Sequence, residues 1–191
     1  MGQSWNAAGI RAVWSVWKCP ALARPHQQVP DIRHVDWAAL KKTHQMTHVL
    51  FDKDNTLTAP YAPTVWPPLR ASLRACQATF GADRVYVHSN SIGSADDPRG
   101  VRAEQFEAEN GVRVLRHGGK KPDVLEARDW PPGMVPAQTA IVGDRLLTDM
   151  VMGNRMGMHT ILVQPFCLDD DNVMAAWIRR LEQRWLRWCA H

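Results

Sequence analysis

Two aspartates two residues apart, Asp52 and Asp54, directly follow the apolar run His48-Val49-Leu50-Phe51. Carboxylates at this spacing can divide the work of phosphoryl transfer. One attacks phosphorus, while the other, protonated, delivers a proton to the leaving alcohol and later activates water. The stretch Asp52-Lys53-Asp54-Asn55-Thr56 is equally good turn chemistry, so the pair alone leaves capping and catalysis about level.

Further along, three more apolar runs end in residues of complementary chemistry. His88-Ser89-Asn90 offers a hydroxyl and backbone N–H groups that could hold phosphate oxygens. Lys120-Lys121-Pro122 follows Gly118-Gly119, and a lysine there could neutralise both the phosphate and a nucleophilic carboxylate. Gly143-Asp144, with Asp149 five residues on, could complete an oxygen-rich Mg²⁺ site with Asp52, the main-chain carbonyl of Asp54 and waters. Each motif has an ordinary reading: a Ser-Asn loop, a solvated lysine, a helix N-cap at Asp144. Their conjunction at four successive strand ends is what favours catalysis.

The elements that must carry these residues alternate. Strand signals fall at His48–Phe51, Arg84–His88, Val112–Leu115, Thr139–Val142 and His159–Val163. A helix is predicted from Pro67 to Gly81, with Leu69, Leu73, Cys76 and Phe80 on one face, and weaker helices near 98–110, 122–130 and 145–157. Such alternation predicts an α/β fold: one Rossmann-like domain with a five-stranded, mostly parallel sheet, helices on both faces and the site at the strands' carboxyl ends.

The totals suit this. A chain of 191 residues, 45% hydrophobic and 22% charged, can bury a single core, and no apolar run is long enough to span a bilayer. The four cysteines are dispersed and form no Cys-x-x-Cys pair, which argues against zinc or a disulfide framework. A net charge of +4 favours anionic partners, and no motif points to nucleic acid.

Residues 1 to 30 contain no acid, and Ile10, Val13, Trp14 and Trp17 follow helical spacing. We therefore expect an amphipathic, membrane-docking leader over residues 1–35 and a catalytic domain over 36–191. Near the end Trp177, Ile178, Leu181, Trp185 and Trp188, set among arginines, form a second basic amphipathic segment.

From Val49 to Val163 these motifs, in this order, resemble the haloacid dehalogenase superfamily of phosphatases. Asp52-Lys-Asp-Asn-Thr-Leu57, Lys121-Pro122 and Val142-Gly-Asp-Arg-Leu-Leu-Thr-Asp149 through Gly153-Asn-Arg155 are similar to the branch holding mitochondrial phosphatidylglycerophosphate (PGP) phosphatases and their bacterial relatives. The resemblance implies Asp52 as nucleophile and Mg²⁺ ligand, Asp54 as general acid/base and Ser89 with the Asn90 amide as phosphate holder. It makes Lys121 the motif lysine with Lys120 as its competitor, Asp144 a metal carboxylate, and Asp149 either a water-mediated ligand or the group orienting Lys121. Arg145, Arg155 and His117 are nearby candidates for the glycerol moiety.

Neither gap between motifs has room for a cap domain, so the site is expected to be open to a bulky lipid headgroup. The implied product is phosphatidylglycerol. The implied location is peripheral on a membrane, either the matrix side of the mitochondrial inner membrane, a bacterial cytoplasmic membrane face or a plastid, and the acid-free leader favours an organelle. Rival readings are a phosphatase of soluble monoesters and a catalytically inactive membrane-bound scaffold.

Overall fold

The computed structural model describes Trp14 and residues 16–166. Six strands form one parallel sheet: β1 (Gln27–Val29), β2 (His48–Phe51), β3 (Val85–Val87), β4 (Arg113–Val114), β5 (Thr139–Gly143) and β6 (His159–Val163), in the order β1-β6-β5-β2-β3-β4. All residues of β2 and β5 are buried, as expected of central strands covered on both sides.

Alternation along the strands divides the core in two. Val49, Phe51, Val87, Val142 and Ile161 face one cluster with Trp37, Leu73, Phe80 and Phe106, while Leu50, Tyr86, Leu115 and Ile141 face another with Leu125, Met134 and Met152. Three helices bring the first cluster's partners: α1 (Trp37–Lys42), α2 (Arg70–Phe80) and α3 (Val101–Asn110). Asp36 caps α1 by accepting the Ala39 amide at 2.8 Å, and Gly81, at φ +98°, ends α2.

The chain runs outward from β2 through β3 to β4, then returns to lay β5 on the other side of β2. The topological switch therefore lies between β2 and β5, where a parallel α/β sheet opens a crevice at its carboxyl edge. Phe51 pairs with Val142, and the Asp52 amide donates to the Val142 carbonyl at 2.8 Å. That register puts Asp52 beside Gly143 and Asp144.

Three expectations change. The sheet has six strands, not five, because Gln27–Val29 pairs with Ile161–Val163 within residues expected to be leader. Its polar composition hides it, yet Pro25 and Pro30 keep the segment extended, and an edge strand tolerates flanking proline. The helix expected at 122–130 is only a 3₁₀ turn, Ala127–Asp129. Pro131 forces Trp130 into extended geometry, and the Trp130 indole donates to the Leu125 carbonyl at 3.0 Å while Leu125 fills the second core cluster. The segment expected as one helix at 145–157 is a π-helical turn, Leu146–Met150, leading into α4 (Val151–Arg155).

Candidate active site

The loop after β2 is a tight turn, and it is the turn that presents the carboxylates. Asn55 adopts φ +61°, a left-handed conformation asparagine tolerates, and the Leu57 and Thr58 amides return to the Lys53 carbonyl at 2.9 and 3.0 Å. Asp52 faces Lys121, whose Nζ donates to Asp52 Oδ1 at 2.5 Å. Asp54 is held differently. Its Oδ1 accepts from Lys53 Nζ at 2.6 Å and from the Tyr61 amide at 2.8 Å, and its Oδ2 lies 3.5 Å from Ser91 Oγ.

Lys121 is buried and also pairs with Asp149 Oδ1 at 2.6 Å. Burial alone would depress its ammonium, but the Asp149 and Asp52 carboxylates outweigh that and raise it above the usual lysine range. Lys120 points away to Asp96, 2.6 Å distant on the surface. The neighbouring lysines are separated by Asn90, which brackets the Lys121 backbone: its Oδ1 accepts the Lys121 amide at 2.8 Å and its Nδ2 donates to the Lys121 carbonyl at 3.1 Å.

On the loop after β3, Ser89 Oγ is buried, lies 3.0 Å from Ser91 Oγ and accepts the Ser91 amide at 3.2 Å. His117 Nε2 lies 2.9 Å from the Ser89 carbonyl, so the end of β4 is tied to the end of β3. Burial is the main reason that the His117 and His88 imidazoles, stacked edge to face, are held below the ordinary histidine value.

Asp144 leaves β5 buried, and Asp149 returns from the π-helical turn with its Oδ2 accepting the Arg145 amide at 3.2 Å. Burial raises the Asp149 carboxyl against the opposing pull of Lys121. Asp52, Asp144 and Asp149 each offer an oxygen within 4.8 Å of the others, a buried, all-oxygen donor set. The Asp54 carboxylate is outside this group, so its expected part in a metal site rests on the main-chain carbonyl alone.

A model of the mitochondrial PGP phosphatase family matches residues 7–167. The chain belongs to that family. It is 43% identical over 194 residues to the chloroplastic/mitochondrial phosphatidylglycerophosphate phosphatase 1 of Arabidopsis thaliana, covering 98% of this chain but 55% of that protein. It is 42% identical over 193 residues to the chloroplastic enzyme of the same name from Chlamydomonas reinhardtii, covering 97% of this chain and 70% of that one. The probable phosphatase YqeG of Bacillus subtilis is 46% identical over 162 residues, with 84% of this chain and 87% of that one covered. The chain thus spans about half the length of the Arabidopsis relative. No solved structure matches it.

In this PGP phosphatase family member, then, Asp52, Lys121, Asp144 and Asp149 converge on the β2/β5 crevice, with Asp54 and Ser89 on adjoining loops. Lys120 does not join them. Sequence reasoning missed Lys53, Ser91 and the side-chain role of Asn90. For Lys53 no signal existed, since a lysine between two aspartates reads as solvated. Of the nearby candidates, Arg155 Nη1 donates to the Pro122 carbonyl at 3.1 Å and so supports the Lys121 loop from behind.

Proposed function

We propose that this chain hydrolyses the terminal phosphate monoester of phosphatidylglycerophosphate, releasing phosphatidylglycerol and phosphate through an aspartyl-phosphate on Asp52. The observation that carries the reading is Lys121, a buried cation shared between Asp52 and Asp149 at 2.5 and 2.6 Å in the crevice at the sheet's switch point.

In the first half-reaction an Asp52 carboxylate oxygen forms a bond to phosphorus while the bond to the glycerol oxygen breaks. Asp54, protonated, gives its proton to that oxygen, which a poor alkoxide leaving group requires. In the second, Asp54 takes a proton from water, whose oxygen attacks phosphorus and frees Asp52 and inorganic phosphate. Ser89 and the Asn90 amide would hold the phosphate oxygens, and Lys121 would offset charge on both nucleophile and phosphate.

The donor chemistry of the three buried carboxylates fits a hard divalent ion. We assign Mg²⁺ to Asp52, Asp144 and the main-chain carbonyl of Asp54, with Asp149 joining through water or orienting Lys121. When bound, the ion supplies positive charge against the phosphate oxygens.

The substrate assignment draws on the relatives' names and on the open site. Between Asn55 and His88 the α-helix and strand are α2 and β3 alone, and between Asn90 and Lys120 they are α3 and β4 alone, so neither segment holds a cap domain. Trp14 and Trp17 are 57% and 73% exposed, stacked at 5.2 Å, with Lys18 Nζ 5.1 Å from the Trp14 ring. Aromatic rings beside basic groups suit an anionic bilayer interface, and the buried Val16 ties this pair to Val151 of α4. We read the enzyme as peripheral on an organelle membrane, with the matrix side of the mitochondrial inner membrane as the first assignment. No helix among the described residues is long and apolar enough to cross a membrane. The expected C-terminal amphipathic segment lies outside the described residues.

Phosphate release from the lipid in mixed micelles, compared with release from soluble phosphate esters, tests the assignment. A preference for the soluble esters would replace the lipid reading with that of a general monoesterase.

A further inference from the structure

Lys53, between the two motif aspartates, is among the most deeply buried charges in the molecule, with 3% of its surface accessible. A buried ammonium is sustained only when its three N–H groups are met. Here Nζ donates to Asp54 Oδ1 at 2.6 Å, to Thr58 Oγ1 at 3.2 Å and to the Ala62 carbonyl at 3.0 Å, and it lies 6.0 Å from the Phe106 ring. Asp54 Oδ1 also accepts the amide of Tyr61, a residue held at φ +60° in the same loop. One carboxylate oxygen is thus saturated by two donors fixed in the fold. The other, Oδ2, is turned toward Ser91 on the phosphate loop.

We propose that Lys53 is a positioning residue for the proton transfers at Asp54. With the Tyr61 amide it locks Oδ1, so that Oδ2 is the oxygen that carries the proton to the leaving alcohol and from water. Lys53 touches neither substrate nor phosphorus in this role and acts only through Asp54, and the inference rests on Asp54 being the general acid/base. Through Thr58 and Ala62 it also ties the acid's orientation to the shape of the loop over the site.

Leaving-group dependence tests this. Asp54 is needed to protonate an alkoxide but not a nitrophenolate, so Lys53→Met should slow phosphoenzyme formation from an alkyl phosphate by roughly 10- to 100-fold, part of the roughly 100- to 10,000-fold that general acid catalysis contributes, and the nitrophenolate burst from p-nitrophenyl phosphate by less than about threefold. KM for the alkyl ester should hold. In the Asp54→Asn background the Lys53→Met change should add nothing to the alkyl defect. Should Lys53→Met not fold, Lys53→Arg, which keeps the charge but moves the donors, is read by the same ratio. Equal losses on both esters, or a further loss on top of Asp54→Asn, would overturn the positioning role. If Asp54→Asn itself lost both esters equally, the assignment of Asp54 as the acid would fall, and the Lys53 role with it.

Discussion

Gly143 and Asp149 occupy one another's space: a Cβ on Gly143 would lie 2.4 Å from Asp149 Cγ and 2.5 Å from its Oδ2. The missing side chain at the end of β5 is what lets the Asp149 carboxylate reach Lys121. Gly143→Ala should therefore displace Asp149 and, through it, Lys121. We expect kcat to fall by at least about tenfold and stability by about 1–3 kcal/mol, the usual cost of overpacking. Steady-state kinetics and urea unfolding check the two effects together.

The adjacent lysines should behave in opposite ways. Lys121→Met removes the cation between Asp52 and Asp149 and leaves buried carboxylates facing each other, so turnover should fall by two orders of magnitude or more, with about 3–5 kcal/mol lost unless a divalent ion compensates. Lys120→Met breaks only a surface pair with Asp96, worth about 0–1 kcal/mol, and should keep kcat within about threefold of wild type. Thermal melts and phosphate release on both variants separate the two positions.

Acid should weaken the fold through its buried histidines. Burial, aided by the neighbouring His26 and His44, pushes the His159 imidazole down to about 4. The unfolded chain takes up this proton near the ordinary histidine value of about 6.5, so between the two values the unfolded state binds more protons and stability rises with pH. The stabilisation is present above about 6.5 and is lost as pH falls toward 4. His48, His88 and His117, lowered chiefly by burial, shift in the same direction and steepen the decline. Melting temperatures between pH 7.5 and 4.5 should show this, with a shallower slope in His159→Gln; an equally steep slope in that variant would show that His159 does not contribute to the acid sensitivity.

Divalent binding should register without turnover. If Asp52, Asp144 and Asp149 share an ion, Mg²⁺ at about 100 times its Kd should stabilise the fold by about 2.7 kcal/mol. Asp144→Asn should shrink the shift in melting temperature, and an unchanged shift would place the ion elsewhere.

The central strands were legible because β2, β3 and β5 are short apolar runs buried on both sides and β6 is nearly so, the pattern a parallel sheet imposes. β1 was not legible. Its Gln-Gln-Val composition carries no strand signal, and pairing with β6 alone makes it a strand. The helix expected at 122–130 failed because the packing of Leu125 and Trp130 and the following proline override local propensity. At the site, side-chain types at strand ends were enough to gather Asp52, Asp144 and Asp149, since a parallel sheet brings all its carboxyl ends to one edge. Which of two adjacent lysines turns inward depends on Asn90, 31 residues away, a tertiary contact with no local trace. Lys53 was illegible for the same reason, because its partners Thr58 and Ala62 become meaningful only once the loop has closed.

On the proposed mechanism Asp52 takes the phosphoryl group from a lipid monoester. Its most direct test is phosphate release from phosphatidylglycerophosphate with Mg²⁺ by wild type and Asp52→Asn, with an acid quench to trap phosphoenzyme. Wild type should show release and trapped label, and the variant neither. Normal turnover by Asp52→Asn would contradict it.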